Sequence, residues 1–225
     1  MYKDIAVQVI SLIYVFVLSL VYFLKRKYNF LESRIYKALL IFTGITLILD
    51  IGSMLIIEEE IFKNVICMLL SKLYFVSLLM WIILFMAYVL LNRVNKKYES
   101  LDELFKSSLL GKTYLIVSII LLGMLVVLPV NYSINPVKYY GLGVELVYGV
   151  AIVGSLFLTI LLLVNSRKLS KYKSWSILAS IMILAITFFL QFANDEIFVI
   201  GSGITLITIF IYFTIENPDL KYIDE

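Results

Sequence analysis

Long apolar runs separated by short polar gaps dominate this chain. Seven runs stand out: Ile5–Leu24, Tyr36–Ile57, Val65–Leu91, Tyr114–Val130, Val144–Val164, Trp175–Phe192 and Phe198–Ile215. At about 1.5 Å per helical residue, runs of this length match a hydrocarbon core of about 30 Å. The pattern therefore predicts an all-α integral membrane protein, a bundle of seven transmembrane helices occupying residues 1–215. The gaps add little beyond the spans. The longest polar gap, Asn92–Thr113, holds Ser100-Leu-Asp-Glu103, which has the form of a capping box, and predicts a short amphipathic helix over Leu101–Leu110.

Charge then orients the bundle. The gap after the first run carries Lys25, Arg26, Lys27, Arg34 and Lys37. The gap after the third carries Arg93, Lys96, Lys97, Lys106 and Lys112, and the gap after the fifth carries Arg167, Lys168, Lys171 and Lys173. Lys221 follows the seventh run, whereas the opposite segments hold only Lys3, Lys63 and Lys138. The positive-inside rule makes the basic gaps cytoplasmic, with the amino terminus outside and the carboxyl terminus inside a multi-pass plasma-membrane protein. The basic residues thus serve topology. The net charge of +3 is no argument for a nucleic-acid partner. No small-x-small cleavage site precedes Lys25, so the first run is expected to be an uncleaved helix.

Composition narrows the chemistry. With no histidine and one cysteine, Cys67, the chain offers no classical zinc site, no Ser-His-Asp triad, no phospho-accepting histidine and no intrachain disulfide. No cofactor, metal or catalytic residue is expected. The seventh run lacks the lysine that a retinal Schiff base would need.

Polar residues inside the spans supply the candidate site. A charge at the bilayer centre costs roughly 2.5–3.5 kcal/mol on insertion scales, so each one calls for a reason. Asp50 and Lys72 lie at similar depths on consecutive runs, which predicts an intramembrane ion pair, either a structural lock or a switch. Thr43, Thr46, Asp50 and Ser53 recur at helical spacing on the second run, as do Ser180, Thr187, Gln191 and Asn194 on the sixth and Gly201, Thr205, Thr208 and Tyr212 on the seventh. Stripes of small and hydroxylated residues are also ordinary helix-packing surfaces in lipid. Because Asp50, Lys72, Glu145 and Gln191 all fall in the outer half, a polar cavity opening outward is a reading that stands beside ordinary helix packing. Asp50 and Lys72 are the switch candidates, and Glu145, Tyr148 and Gln191 the signal-facing wall.

The seventh run ends in Glu216-Asn217-Pro218-Asp219. Proline biases Asn217 away from helix, and Asn, Pro and Asp suit the cap, first position and first turn of a new helix. Residues 216–225 therefore read as the start of a cytoplasmic signalling helix that belongs to something longer.

The stretch Tyr212-Phe-Thr-Ile-Glu-Asn-Pro-Asp-Leu220 resembles the junction between the seven-helix membrane region and the signalling helix in a group of Firmicutes sensor histidine kinases. Tyr139-Tyr140-Gly141, Tyr148 and Gln191 are similar too. The resemblance covers the whole chain in topology and is specific over the junction. It implies a bacterial two-component signal-input module, non-enzymatic in these residues, with a kinase domain in cis, a homodimeric full-length protein and a small-molecule or peptide signal of unassigned identity. The alternative is a small transporter or permease with a polar site among Asp50, Lys72, Glu145 and Gln191. Against it stand unbroken spans and the lack of an internal repeat relating runs one to three and five to seven.

Overall fold

Backbone groups in hydrocarbon have no water to bond, so a chain this apolar must satisfy its amides within helices. A computed structural model of the protein bears this out. It describes residues 2–24, 31–59, 65–93, 109–134, 137–164, 171–194 and 198–217. The helices are α1 (Tyr2–Leu24), α2 (Leu31–Glu59), α3 (Val65–Arg93), α4 (Leu109–Val127), α5 (Leu142–Val164), α6 (Lys171–Ala193) and α7 (Ile200–Ile211). Five of them contain stretches long and apolar enough to cross a membrane: Ile5–Leu24, Leu31–Ile56, Val65–Leu91, Leu142–Val164 and Lys173–Ala193. The apolar stretches Gly111–Val127 and Ile200–Glu216 are shorter. The predicted helix over Leu101–Leu110 and its capping box lie mostly outside the described residues, and Leu109 and Leu110 belong to α4.

The surface inverts the rule for water-soluble folds. Ile10, Ile13, Phe16 and Val17 on α1, Ile116 and Ile119 on α4, and Leu156 and Ile160 on α5 are exposed, while Thr43, Thr46, Asp50, Ser71 and Ser180 are buried. Such continuous exposed apolar faces suit lipid. Burial ranks the helices. Within an 18-residue window of each, 67% of α3 is buried against 28% of α1, so α3 is the axis and α1 a peripheral helix. α3 packs along α2 and also meets α4 and α5, and α7 is wedged between α1, α2 and α6.

One element departs from the all-α expectation. The fourth apolar run was expected to stay helical to Val130, but α4 stops at Val127, followed by Pro129, which cannot donate a backbone hydrogen bond. The chain then forms an antiparallel hairpin, β1 (Asn131–Ile134) with β2 (Val137–Tyr140), pairing Tyr132 with Tyr139. β-branched and aromatic residues and a two-residue connection explain the strands. Gly141, at φ +117°, turns the chain into α5, where a Cβ would lie 2.8 Å from the Pro129 carbonyl oxygen. That carbonyl accepts from the Gly143 amide at 3.0 Å, which ties the hairpin base to α5.

The far end of α7 also departs from a regular helix. After Ile211 the chain widens into a π-type turn over Tyr212–Glu216, and Asn217 is extended (φ −60°, ψ 123°). The extended Asn217 is what the following proline dictates.

Two glycines test the packing with opposite signs. A Cβ on Gly203 would lie 2.4 Å from Thr187 Cγ2 and 2.9 Å from its Cβ, so α6 and α7 must separate to admit it, whereas one on Gly52 meets nothing within 4 Å. Gly203→Ala should cost about 1–3 kcal/mol. Gly52→Ala should gain about 0.5–1 kcal/mol from helix propensity. Thermal unfolding in detergent checks both, and an unchanged midpoint for Gly203→Ala would remove the close contact.

Candidate functional site

The second helix carries a polar seam longer than its sequence stripe. Ser33, Tyr36, Thr43, Thr46, Asp50 and Ser53 are all buried and share one face of α2. Most of their bonds cross to other helices. Thr46 Oγ1 and Ser77 Oγ of α3 are 2.7 Å apart, and Trp81 Nε1 donates to Thr43 Oγ1 at 2.8 Å. Thr43 and Thr208 hydroxyls lie 3.0 Å apart, and Tyr36 donates to the Thr208 carbonyl at 2.9 Å. By contrast, the hydroxyls of Ser180, Thr187 and Thr205 turn back to carbonyls of their own helices. On α6 and α7 the small polar stripe is thus mainly a packing surface, and on α2 it is a connector. Each cross-helix bond in lipid is worth about 0.6 kcal/mol on average.

At the exit end, where α7 finishes, the seam ends on a carboxylate. Glu216, buried in the wide turn, accepts from Ser33 Oγ at 2.8 Å and from the Tyr88 hydroxyl at 2.9 Å. Tyr22 donates to the Ser33 carbonyl at 2.9 Å, and its ring meets Tyr36 and Tyr212 at 5.3 and 6.2 Å. Tyr36 stacks on Tyr212 at 6.3 Å and contacts Tyr88 at 6.4 Å. Tyrosines of α1, α2, α3 and the exit turn therefore surround one acid. Glu216 reads from sequence as the first residue outside the bundle; the structure puts it inside. Pro218 and Asp219 lie outside the described residues.

At the hairpin end the seam finishes beneath β2. Tyr139 points into the bundle, its hydroxyl 2.6 Å from Ser53 Oγ and its ring 5.4 to 6.2 Å from those of Tyr74, Phe75 and Phe198. The hairpin thus plugs the space where the sequence reading expects a cavity opening outward.

The structure sorts the five sequence candidates. Asp50 is buried, and its Oδ1 has no hydrogen-bond partner. The expected ion pair with Lys72 is not formed. The reason is rotational. The buried face of α3 runs through Ser71, Tyr74, Phe75 and Leu78, so Ser71 takes the inward position and Lys72, about 100° round the helix, is only partly buried. Glu145 is exposed in the first turn of α5, where its charge favours the helix dipole. Tyr148 and Gln191 do come together. Gln191 Nε2 donates to the Tyr148 hydroxyl at 3.1 Å, while its Oε1 accepts from the Val199 and Ile200 amides, each at 3.1 Å. Gln191 therefore caps α7 from the neighbouring helix, which is a structural task.

Sequence reasoning missed Gln8, which donates through Nε2 to the Phe198 carbonyl at 3.3 Å, and also Ser33, Tyr88 and Trp81. A lone glutamine in the apolar first run was a readable signal; tyrosine and tryptophan counted there as apolar. Among the described residues, no group of three His, Cys, Asp or Glu side chains gathers to hold a metal ion. The chain matches no family model, no curated protein and no solved structure.

Two substitutions check this arrangement. Lys72→Met should leave stability within about 0.5 kcal/mol of wild type. Combined with Asp50→Asn it should be additive within about 0.5 kcal/mol, and a larger coupling would restore the pair. Gln191→Leu orphans two helix-end amides and should cost about 1–3 kcal/mol in thermal unfolding, with a neutral result removing the cap.

Proposed function

We propose that the chain is the signal-input module of a membrane sensor, with seven spans, the amino terminus and hairpin outside the plasma membrane, and the exit turn at the cytoplasmic face. One observation carries this reading. A single helix, α2, bears buried polar contacts from Ser53 under the hairpin to Ser33 at the exit carboxylate. A signal that moves the hairpin or Tyr139 changes the load on α2. The seam relays that change to α7 through Thr43–Thr208 and Tyr36, and to the exit through Ser33–Glu216. Two discrete arrangements of α7 against α2 and α3 would suffice as the switch. The wide turn at Tyr212–Glu216 supports this, since such turns often sit at functional positions in helices.

The resemblance of the Glu216-Asn217-Pro218-Asp219 junction to that of Firmicutes sensor histidine kinases suggests the output: a kinase domain in cis, acting as a homodimer, in response to a small molecule or peptide. On this reading, Glu216 and Tyr88 hold the exit helix in one state and Pro218 separates it from α7.

The second reading, a small transporter, draws on the uncompensated carboxylate of Asp50. Uptake by proteoliposomes carrying the chain would favour it over a sensor.

Three outcomes are expected. Reporter fusions put Arg93–Lys112, Arg167–Lys173 and Asp224 in the cytoplasm, and an extracellular signal at Asp224 overturns the topology. The reading frame beyond Glu225 continues into dimerisation and kinase domains, and a stop codon there favours the transporter. In that longer protein, Tyr88→Phe and Glu216→Gln change basal autophosphorylation several-fold in reconstituted vesicles, the energetic equivalent of about 1 kcal/mol per lost bond; unaltered activity in both separates the latch from the output.

A further inference from the structure

Two hydrogen bonds fix the register of α2 against each neighbour. Ser33–Glu216 and Thr43–Thr208 set it antiparallel to α7, which puts Asp50 level with Gly201. Thr46–Ser77 and Trp81–Thr43 set it antiparallel to α3, which puts Asp50 level with the first turns of that helix, near Ser71 and Tyr74. Gln8 of α1 reaches the same level, because its Oε1 lies 2.1 Å from where a Cβ on Gly201 would be. Three buried oxygens from three helices, Gln8 Oε1, Asp50 Oδ1 and Ser71 Oγ, therefore sit at one depth, and none has a hydrogen-bond partner. The Gln8 amide nitrogen is already spent on the Phe198 carbonyl. Among the residues whose burial is described, Asp50 and Glu216 are the buried acids, and no lysine or arginine is buried to balance them. Glu216 has donors, whereas Asp50 Oδ1 has no hydrogen-bond partner.

We infer that this level of the bundle is a binding site for a small alkali-metal cation such as Na⁺, with the Asp50 carboxylate as its charged ligand and Ser71 and Gln8 as neutral oxygen ligands. Hard monovalent and divalent cations take oxygen donors of this kind, and a buried charge is stable only when paired. A proton on Asp50 answers the need less well. It neutralises the charge and supplies a single donor, whereas one cation serves the carboxylate, the amide oxygen and the hydroxyl oxygen at once. Gly201 keeps the α7 side open to Gln8, and Tyr139 closes the hairpin side. The inference goes beyond the sensor reading and does not depend on it, since either a sensor or a transporter could hold such a site.

The test uses the purified chain in lipid nanodiscs at fixed pH and ionic strength, with choline chloride replaced stepwise by NaCl. The melting temperature of the wild type should rise saturably with Na⁺. Asp50→Asn, which needs no counter-charge, should lose the Na⁺ dependence altogether, and Ser71→Ala should require more Na⁺ for half the effect. Identical wild-type melting in Na⁺ and choline overturns the site, as does an undiminished Na⁺ shift in Asp50→Asn. Should Asp50→Asn fail to fold, equilibrium retention of radioactive sodium by the wild type decides. One saturable component, displaced by unlabelled NaCl and not by choline, supports the site, and no saturable retention overturns it. Signalling output is not read in either arm, so failure here leaves the proposed function standing.

Discussion

A hydrocarbon exterior removes water as a partner for polar groups, and this constraint shapes the molecule. A hydroxyl, amide or carboxylate on these apolar helices is costly unless it finds a partner inside the bundle. Serines and threonines solve the problem locally when they bond the carbonyl one turn back, as Ser180 and Thr187 do. Where they also reach another helix they dictate register. Thr43 is the clearest case, receiving the Trp81 indole and facing Thr208 across the bundle. From that node α2, α3 and α7 take their relative positions, and the clusters at both ends follow.

The two ends solve different versions of the same problem. At the exit, an acid that would be costly in lipid accepts hydrogen bonds from the Ser33 hydroxyl and the Tyr88 phenol. At the hairpin end the phenol of Tyr139 goes to Ser53 and leaves Asp50 without an equivalent donor on Oδ1. A buried carboxylate with donors is a structural element, and one without them is a site of unfinished chemistry.

Much of this was legible in the residues. Uninterrupted apolar runs gave the long helices, because length and hydropathy are summed over twenty positions and tolerate local error. The i, i+3, i+7 recurrence on α2 marked the buried polar face, since period alone determines which residues share a side. The junction proline correctly implied an extended Asn217. What failed depended on rotation and reach. Lys72 and Asp50 match in depth, yet depth says nothing about azimuth, and one step along α3 turned the lysine off the inward face. Glu145 shares a helix face with Tyr148 only loosely, and one of them is exposed while the other is buried. Gln191 looked like a signal-facing group because its partners, the Val199 and Ile200 amides, are backbone atoms that no sequence pattern displays. The hairpin escaped notice because four-residue strands leave little periodicity to detect.

The Thr43–Thr208 and Ser33–Glu216 contacts join residues 165 and 183 positions apart in the chain. At synthesis rates of about 5–20 residues per second, α2 enters the bilayer on the order of ten to thirty seconds before its partners on α7 exist. Through that interval the hydroxyls that will face α7 have only the earlier-made helices or the insertion machinery for partners. The bundle therefore cannot mature helix by helix. The turn carrying Glu216 completes bonds begun by the second helix, so the polar seam closes only once α7 is in place.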